Sequence, residues 1–184
     1  MCRSRAPWFV LDGRAACARF GQSGVVGTSA FATIYRRGDS FFVASSDQTT
    51  DGVWIHSGSV ECVDGVDPEA IGSALMRQLD RSTLGVPHPR QDQWTAQRRR
   101  GLDPIIALAK LRSWRSFIRD AALAGVKRDG DTVRITPEQC DARRFDVFTP
   151  LIEHERLLLG PTERELGSAT LAAVGVEPVE DGRP

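Results

Sequence analysis

Few residues of this chain could carry out acid–base or nucleophilic chemistry, and they lie far apart in the sequence. The three histidines are His56, His88 and His154, and each has a different setting. His154 stands beside Glu155, but adjacent residues on a strand point to opposite faces of a sheet, so the two could not cooperate there. We therefore expect each histidine to face solvent or to have its hydrogen bonds satisfied within the fold.

The motifs that resemble hydrolase or phosphate-binding loops lack the spacing that their chemistry needs. Ser23, in the stretch Gly21-Gln22-Ser23-Gly24, is without the second glycine of a Gly-x-Ser-x-Gly elbow. The glycines at 21, 24 and 27 are not followed by the Lys-Ser/Thr pair of a phosphate loop. No Glu-x-Lys pair follows an aspartate by one strand, as a nuclease would need. We predict no catalytic residue, and an enzyme of unknown type stays only as an alternative.

The sequence gives no pattern for a metal or another cofactor. The four cysteines are scattered, with no Cys-x-x-Cys pair and no histidine at ligand spacing, and are Cys2, Cys17, Cys62 and Cys140. Asp129 and Asp131 flank Gly130, where turn formation explains them without a metal. We predict no cofactor and reduced thiols.

Length and composition are those of one globular domain without a membrane span. The chain has 184 residues, of which 41% are hydrophobic and 26% charged. No apolar run approaches the ~18 residues that a membrane helix needs, and Asp12 interrupts the short apolar stretch near the N-terminus. We expect a cytoplasmic protein with a single domain over residues 1–174, loosely ordered residues 1–20 and a mobile tail at 175–184.

The net charge of zero conceals blocks of alternating sign. Residues 47–82 carry two arginines against seven acids, and residues 129–184 carry six arginines against twelve. Residues 90–128 carry ten lysines and arginines against three aspartates. Such blocks either neutralise one another within the fold or form opposed faces that steer a charged partner.

The first half of the chain predicts an antiparallel meander followed by a helix. Two β-prone runs within 31–46 flank Arg37-Gly38-Asp39, and two more follow at 53–56 and 60–63. Asp67 and Pro68 then give the cap and first turn of a helix with a buried stripe, which 85–89 ends.

The second half predicts a helix, a hairpin and a closing helix. After Asp103-Pro104, apolar residues up to Ala121 recur at helical spacing, with Trp114 and Ile118 inward and Arg115 and Arg119 on the flank. Asp129-Gly130 between β-prone runs is a hairpin signal. Further strands are expected within 145–152 and 155–159, and a last helix from 163 to 174.

The two halves also resemble each other. Each has a β-run, then a cysteine, then a helix with a similar tetrapeptide, Ile71-Gly72-Ser73-Ala74 in one and Leu166-Gly167-Ser168-Ala169 in the other. Glycine within a helix costs about 1 kcal/mol relative to alanine, so we expect close packing of each helix on its sheet. The fold class predicted is α+β, mostly antiparallel, with about three main helices and a duplicated strand–helix unit.

Two clusters of arginines are compatible with nucleic-acid binding. Arg98-Arg99-Arg100 and the arginines at 112, 115 and 119 could form a surface for RNA or DNA. A stacking platform needs exposed rings among the basic groups, whereas the helical pattern buries the aromatic rings here. Nucleic-acid binding is therefore the second choice.

The stretch from Leu108 to Val174 resembles the immunity proteins of contact-dependent growth inhibition systems. The likeness lies in the order of a Ser-Trp-x-x-Phe helix at 113–117, a β-pair ending in Ile135-Thr136-Pro137, the segment Phe148-Thr149-Pro150 and the closing Glu-Leu-Gly-Ser-Ala helix. The upstream half, with a strand followed by a glycine-containing helix, is similar too, so the resemblance covers roughly residues 40–174.

The resemblance implies a small antidote that binds the C-terminal toxin domain of a CdiA-type surface effector, with no membrane or nucleic-acid partner. Such toxins are often nucleases, some of which cleave tRNA, and the antidote does no chemistry itself. A basic toxin would favour an acidic contact surface. We therefore expect a 1:1 heterodimer whose contact residues are Asp64, Asp141, Glu153, Glu155 and Arg156.

Overall fold

A computed structural model of the chain describes residues 29–141 and 147–175. Its first strands are β1 (Ser29–Arg37), β2 (Ser40–Thr49) and β3 (Trp54–Asp64), which pair antiparallel in sequence order. Gly38 makes the first turn with a φ of 60°. The predicted meander is confirmed, but the runs at 53–56 and 60–63 form one strand, because Gly58 takes a φ of 92° without leaving the sheet.

The second group of strands extends the same sheet. β4 (Leu84–Val86) lies parallel to β2, and β5 (Ala122–Asp129) and β6 (Thr132–Cys140) form the predicted hairpin around Gly130. β7 (Phe148–Pro150) and β8 (Arg156–Leu159) both pair with β6, and a 3₁₀ turn at Ile152–His154 separates them. The order is β3-β2-β1-β5-β6-β7, with β8 beside β7 along β6.

Two helices cover one face of this sheet. α1 (Pro68–Asp80) begins after Asp67, whose side chain accepts a hydrogen bond from the Glu69 amide. α4 (Glu163–Ala173) begins with a capping box between Thr162 and Glu165. Both helices start as predicted, and they pack against apolar residues of β1, β2, β5 and β6.

The other two helices differ from the prediction. We expected one helix after Asp103-Pro104, but α2 spans Trp94–Leu108 with Pro104 inside it, and α3 is only Trp114–Ile118. Lys110 takes a φ of 54°, which ends the helical hydrogen bonding between them. Ser113 then caps α3 by accepting a hydrogen bond from the Ser116 amide.

The periodicity of the short helix α3 holds nevertheless. Ile118 is buried as predicted, Phe117 is buried with it, and Trp114 is half-buried. Arg115 and Arg119 are exposed. The side chains of Trp114, Phe117 and Ile118 pack in a second core on the opposite face of the sheet from α1 and α4. This core also contains Tyr35, Phe42 and Leu123. The α+β class with an antiparallel sheet and three longer helices is confirmed.

The two glycine-containing helices contact each other through their first turns. A Cβ at Gly72 in α1 would overlap the carbonyl oxygen of Glu163, the first residue of α4. A Cβ at Gly167 in α4 would overlap the carbonyl oxygen of Pro68, the first residue of α1. This reciprocal contact fits the duplicated strand–helix unit. It also corrects our expectation, because the glycines allow one helix to approach the other helix rather than the sheet.

Some predictions concern segments that the structure does not describe. Residues 1–20, which we expected to be loosely ordered, lie outside the described residues. The same holds for the tail from 176 onward and for the start of the strand expected at 145–152. Among the described helices, none is long and apolar enough to cross a membrane.

The close contact between α1 and α4 leads to a prediction about stability. Replacing Gly167 with alanine should lower the free energy of unfolding by about 3 kcal/mol, since the new methyl group must push α4 away from Pro68. Urea unfolding followed by circular dichroism measures the change. The neighbouring substitution Ser168→Ala is the control and should change stability by less than about 0.5 kcal/mol. Equal stability of the two variants would contradict the contact.

Candidate functional site

A chain of hydrogen bonds links the sheet to α2. The hydroxyl of Tyr35 on β1 lies 3.1 Å from Nε2 of His56 on β3, and Nδ1 of that ring lies 3.5 Å from Oγ of Ser46 on β2. From α2, the side chain of Gln97 donates to the carbonyl oxygen of His56 at 2.8 Å. Gly101 lies against the side chain of His56, where a Cβ would come within 2.5 Å of the histidine Cβ.

Burial keeps the side chains of Tyr35 and His56 uncharged near neutral pH. It lowers the pKa of His56 to about 4 and raises the pKa of Tyr35 above its ordinary value, an effect that Glu138 strengthens. With both groups neutral, the Tyr35 hydroxyl can donate a hydrogen bond to Nε2 of the ring, which leaves the Nδ1 proton as a donor. His56 is satisfied within the fold, as predicted, and its contacts are those of a structural group.

The other two histidines have separate surroundings. Nδ1 of His88 lies 3.2 Å from Oγ1 of Thr49 and 3.5 Å from a carboxylate oxygen of Asp51. A relay between acid and nucleophile uses both ring nitrogens, so this arrangement does not make one. His154 is exposed in the 3₁₀ turn, not on the strand we expected, and its Nε2 lies 3.9 Å from Glu153.

A carboxyl group that has no hydrogen bond or ion pair with the residues described in the structure lies on the sheet face that α2 and α3 partly cover. One oxygen of Glu138 on β6 sits over Gly125 on β5, 2.9 Å from the position that a Cβ would take, and the Phe31 ring lies 3.0 Å from that position. Burial raises the pKa of Glu138 to about 7. The sequence pointed to acids around Glu138 but gave no sign of this environment, which depends on the β5–β6 register.

The five predicted contact residues occupy two edges of the sheet. Asp64 ends β3, where it accepts a hydrogen bond from Ser40 at 2.7 Å. The others lie at the β6–β8 edge. In the sheet order β6 is four strands and β8 five strands away from β3, which corresponds to about 20 to 24 Å. That group comprises Asp141, Glu153, Glu155 and Arg156.

The acids of the β6–β8 edge are not equally available to a partner. The carboxylate of Glu155 binds Arg134 at 2.8 Å and accepts a hydrogen bond from Thr136 at 3.1 Å, so contacts within the chain already use it. The side chain of Glu153 is 67% exposed. Arg156 is exposed as well. Glu153, Arg156 and Asp141 are thus the exposed charged groups among these four residues.

Exposed apolar side chains stand at the same edge, and sequence reasoning missed them. Leu159 is 82% exposed, Leu157 60% and Ile152 61%. Leu157 pairs with Arg134 and Leu159 with Thr132, so both leucines project from the sheet face that carries Glu138. The sequence showed a strand-sized run of leucines, but only the pairing with β6 reveals that two of them face outward.

Thiols and metal-binding side chains contribute little to this surface. Cys62 and Cys140 are half-buried, and the Cys140 thiol lies 3.7 Å from the carbonyl oxygen of Asp141. Burial and the neighbouring Asp64 raise the pKa of the Cys62 thiol, which lowers its reactivity. No group of three or more histidine, cysteine or acidic side chains lies close enough to hold a metal ion within residues 29–141 and 147–175.

Comparison with known proteins finds similarity in the fold but not in the sequence. No family model and no curated protein matches the chain. A protein of unknown function from Neisseria meningitidis has a similar structure, with a TM-score of 0.68 and 11% identity over 85% of this chain and 97% of its own. A chain of the CdiA-CT/CdiI toxin and immunity complex from Yersinia pseudotuberculosis has a TM-score of 0.61 and 16% identity over 79% and 97%. At these identities the comparisons show the fold that the chains share.

The buried histidine makes the second prediction. The pKa of His56 is lower in the folded chain than its ordinary value of 6.5, so the unfolded chain takes up the proton first. The resulting stabilisation is complete above pH 6.5 and is lost as the pH falls towards 4. We expect the wild type to lose roughly 3 kcal/mol more than His56→Gln across this window.

Urea unfolding at a series of pH values measures that difference. The variant His154→Gln is the matched control, because His154 is exposed, and it should follow the wild-type curve. If His56→Gln loses stability with acid as steeply as the wild type does, His56 does not carry the buried neutral ring described above.

Proposed function

We propose that this chain is an immunity protein, which binds the toxin domain of a contact-dependent growth inhibition effector and neutralises it in the cytoplasm. The observation that carries the proposal is the β6–β8 edge, where Ile152, Leu157 and Leu159 are exposed beside Glu153 and Arg156. An apolar centre with charged groups around it is the usual anatomy of a protein–protein interface.

The fold similarity supports the same conclusion. A chain of a toxin and immunity complex shares this fold over most of both chains, and the ordered motifs from Ser113 to Val174 resemble immunity proteins independently of that comparison. The toxin is expected to be a nuclease and therefore basic, so Glu153 would steer its approach. A single contact edge on each chain fits a 1:1 complex.

Nucleic-acid binding has less support from the arrangement of the rings. Arg99 and Arg100 are exposed on α2, and Arg112 and Arg119 are exposed around α3. Phe117, however, is fully buried, and Trp114 stacks on it at 5.4 Å. An exposed aromatic platform among these arginines, which single-stranded nucleic acid would need, is not present in the described part of α2 and α3.

The proposal is tested by expressing the chain with and without the toxin domain encoded immediately upstream. Expression of the chain alone should leave growth unchanged, co-expression should restore the growth of toxin-producing cells, and the two chains should co-purify. Growth arrest by the chain alone would make it a toxin instead. Salt-sensitive retention on RNA or DNA, together with absence of rescue, would favour the nucleic-acid alternative.

The third prediction concerns the interface itself. The double substitution Leu157→Asp and Leu159→Asp should weaken toxin binding at least tenfold, because both side chains leave the centre of the proposed contact. Titration calorimetry with the purified, catalytically inactivated toxin domain measures the affinity. Leu84→Asp is the matched control, since Leu84 is an exposed leucine on β4, away from this edge. Equal affinity of all three proteins would move the interface elsewhere.

A further inference from the structure

We propose that Glu138 and Phe31 form a recognition site for an arginine side chain, and that the partner of the chain supplies this arginine. The identity of the partner rests on the proposed function, whereas the chemistry of the site rests on the positions of Glu138 and Phe31 over Gly125. None of the five contact residues predicted from the sequence belongs to this site.

Gly125 makes the site by having no side chain. In the sheet it lies between Thr33 on β1 and Thr136 on β6, so a row of small residues crosses three strands at this level. Glu138 and Phe31 fold over this row from opposite sides and approach the same point above Gly125, at 2.9 and 3.0 Å. A carboxylate and an aromatic ring thus stand side by side on a floor of backbone.

Neighbouring basic residues do not neutralise this carboxyl group. Lys127 on the same sheet face binds Asp129 at 2.9 Å, and Arg134 binds Glu155 at 2.8 Å. No hydrogen bond or ion pair reaches Glu138 from the residues that the structure describes, and desolvation is the one cause of its altered titration. Burying a carboxylate costs free energy unless a cation or hydrogen-bond donor compensates it. A cation supplied by a partner would therefore offset a desolvation cost that the fold itself leaves uncompensated.

The pairing of a carboxylate with a ring selects a guanidinium group. Its planar fork can bind both oxygens of Glu138, and the same plane can stack on an aromatic face. The Phe31 ring is held in place by the Trp54 ring, whose centroid is 5.4 Å away. An ammonium group would make the ionic contact but not the planar one, and hence we assign the site to arginine rather than lysine.

The protonation state of Glu138 gives the site a distinctive behaviour. Because burial raises its pKa to about 7, a bound cation must favour the ionised form and release a proton. Binding should therefore be up to about tenfold tighter at pH 8 than at pH 6. The other titratable groups around the site are Tyr35 on β1 with His56 behind it, Lys127 and Asp129 on β5, Arg134 on β6, and Glu155 before β8. The pKa values of Tyr35 and His56 lie outside this pH range, so neither group titrates there.

The test uses N-acetyl-arginine methylamide as the probe and the full chain as the receptor. Nuclear magnetic resonance follows the carboxyl carbon of Glu138 and the ring of Phe31 as probe is added at pH 8. We expect saturable shifts of both signals, weaker binding of the lysine analogue, and no binding of the uncharged citrulline analogue. Glu138→Gln should weaken binding at least about tenfold. Glu69→Gln is the matched control that should not, because Glu69 is exposed on α1, on the other face of the sheet.

Two outcomes overturn the assignment. One is the absence of arginine-dependent shifts at Glu138, and the other is binding that Glu138→Gln leaves unchanged while its backbone spectrum shows an intact fold. Rescue from the toxin by the wild-type chain is measured separately. Rescue without probe binding would refute the arginine site and leave the immunity function standing, whereas probe binding without rescue would do the reverse.

Discussion

The close approach of α1 and α4 is the constraint on which the rest of the structure depends. Each helix places a glycine against the first carbonyl group of the other, so their axes approach closely above the centre of the sheet. The two strand–helix halves meet below this contact at the β1–β5 pair, where Thr33 pairs with Gly125. One sheet face is thereby closed by a reciprocal helix pair that larger residues at 72 and 167 could not form.

The sheet face opposite α1 and α4 is covered unevenly, because α2 and α3 lie between the two halves in the sequence. α2 and α3 follow the first half in the chain and cover its strands, with Phe117 packed on Tyr35 and Phe42. The second half has no equivalent helices among the described residues. Arg134, Glu138 and the leucines of β8 consequently remain half-buried or exposed. The surface proposed for binding is thus the part of this sheet face that α2 and α3 leave uncovered.

Local signals in the sequence predicted the elements that they determine. Asp67-Pro68 and Thr162 start helices through their own side chains. The turn at Gly130 depends only on the residues next to it in the sequence. The break at Lys110 escaped prediction because the apolar period continues across it up to Ala121. Periodicity reports which side chains face inward, but a change of helix direction in the backbone leaves that period almost intact.

The candidate site was harder to predict because its members meet only through strand register. Phe31, Gly125 and Glu138 are far apart in the chain, and a shift of one residue between β5 and β6 would send Glu138 to the face that α1 and α4 cover. Sequence acidity directed attention to Glu155, whose charge Arg134 already uses. A carboxylate is available to a partner when no basic side chain of its own chain pairs with it. Whether that is so depends on which acids the neighbouring basic residues already bind, as Lys127 binds Asp129 and Arg134 binds Glu155. A count of charges along the chain cannot separate Glu155 from Glu138, whereas the sheet register does.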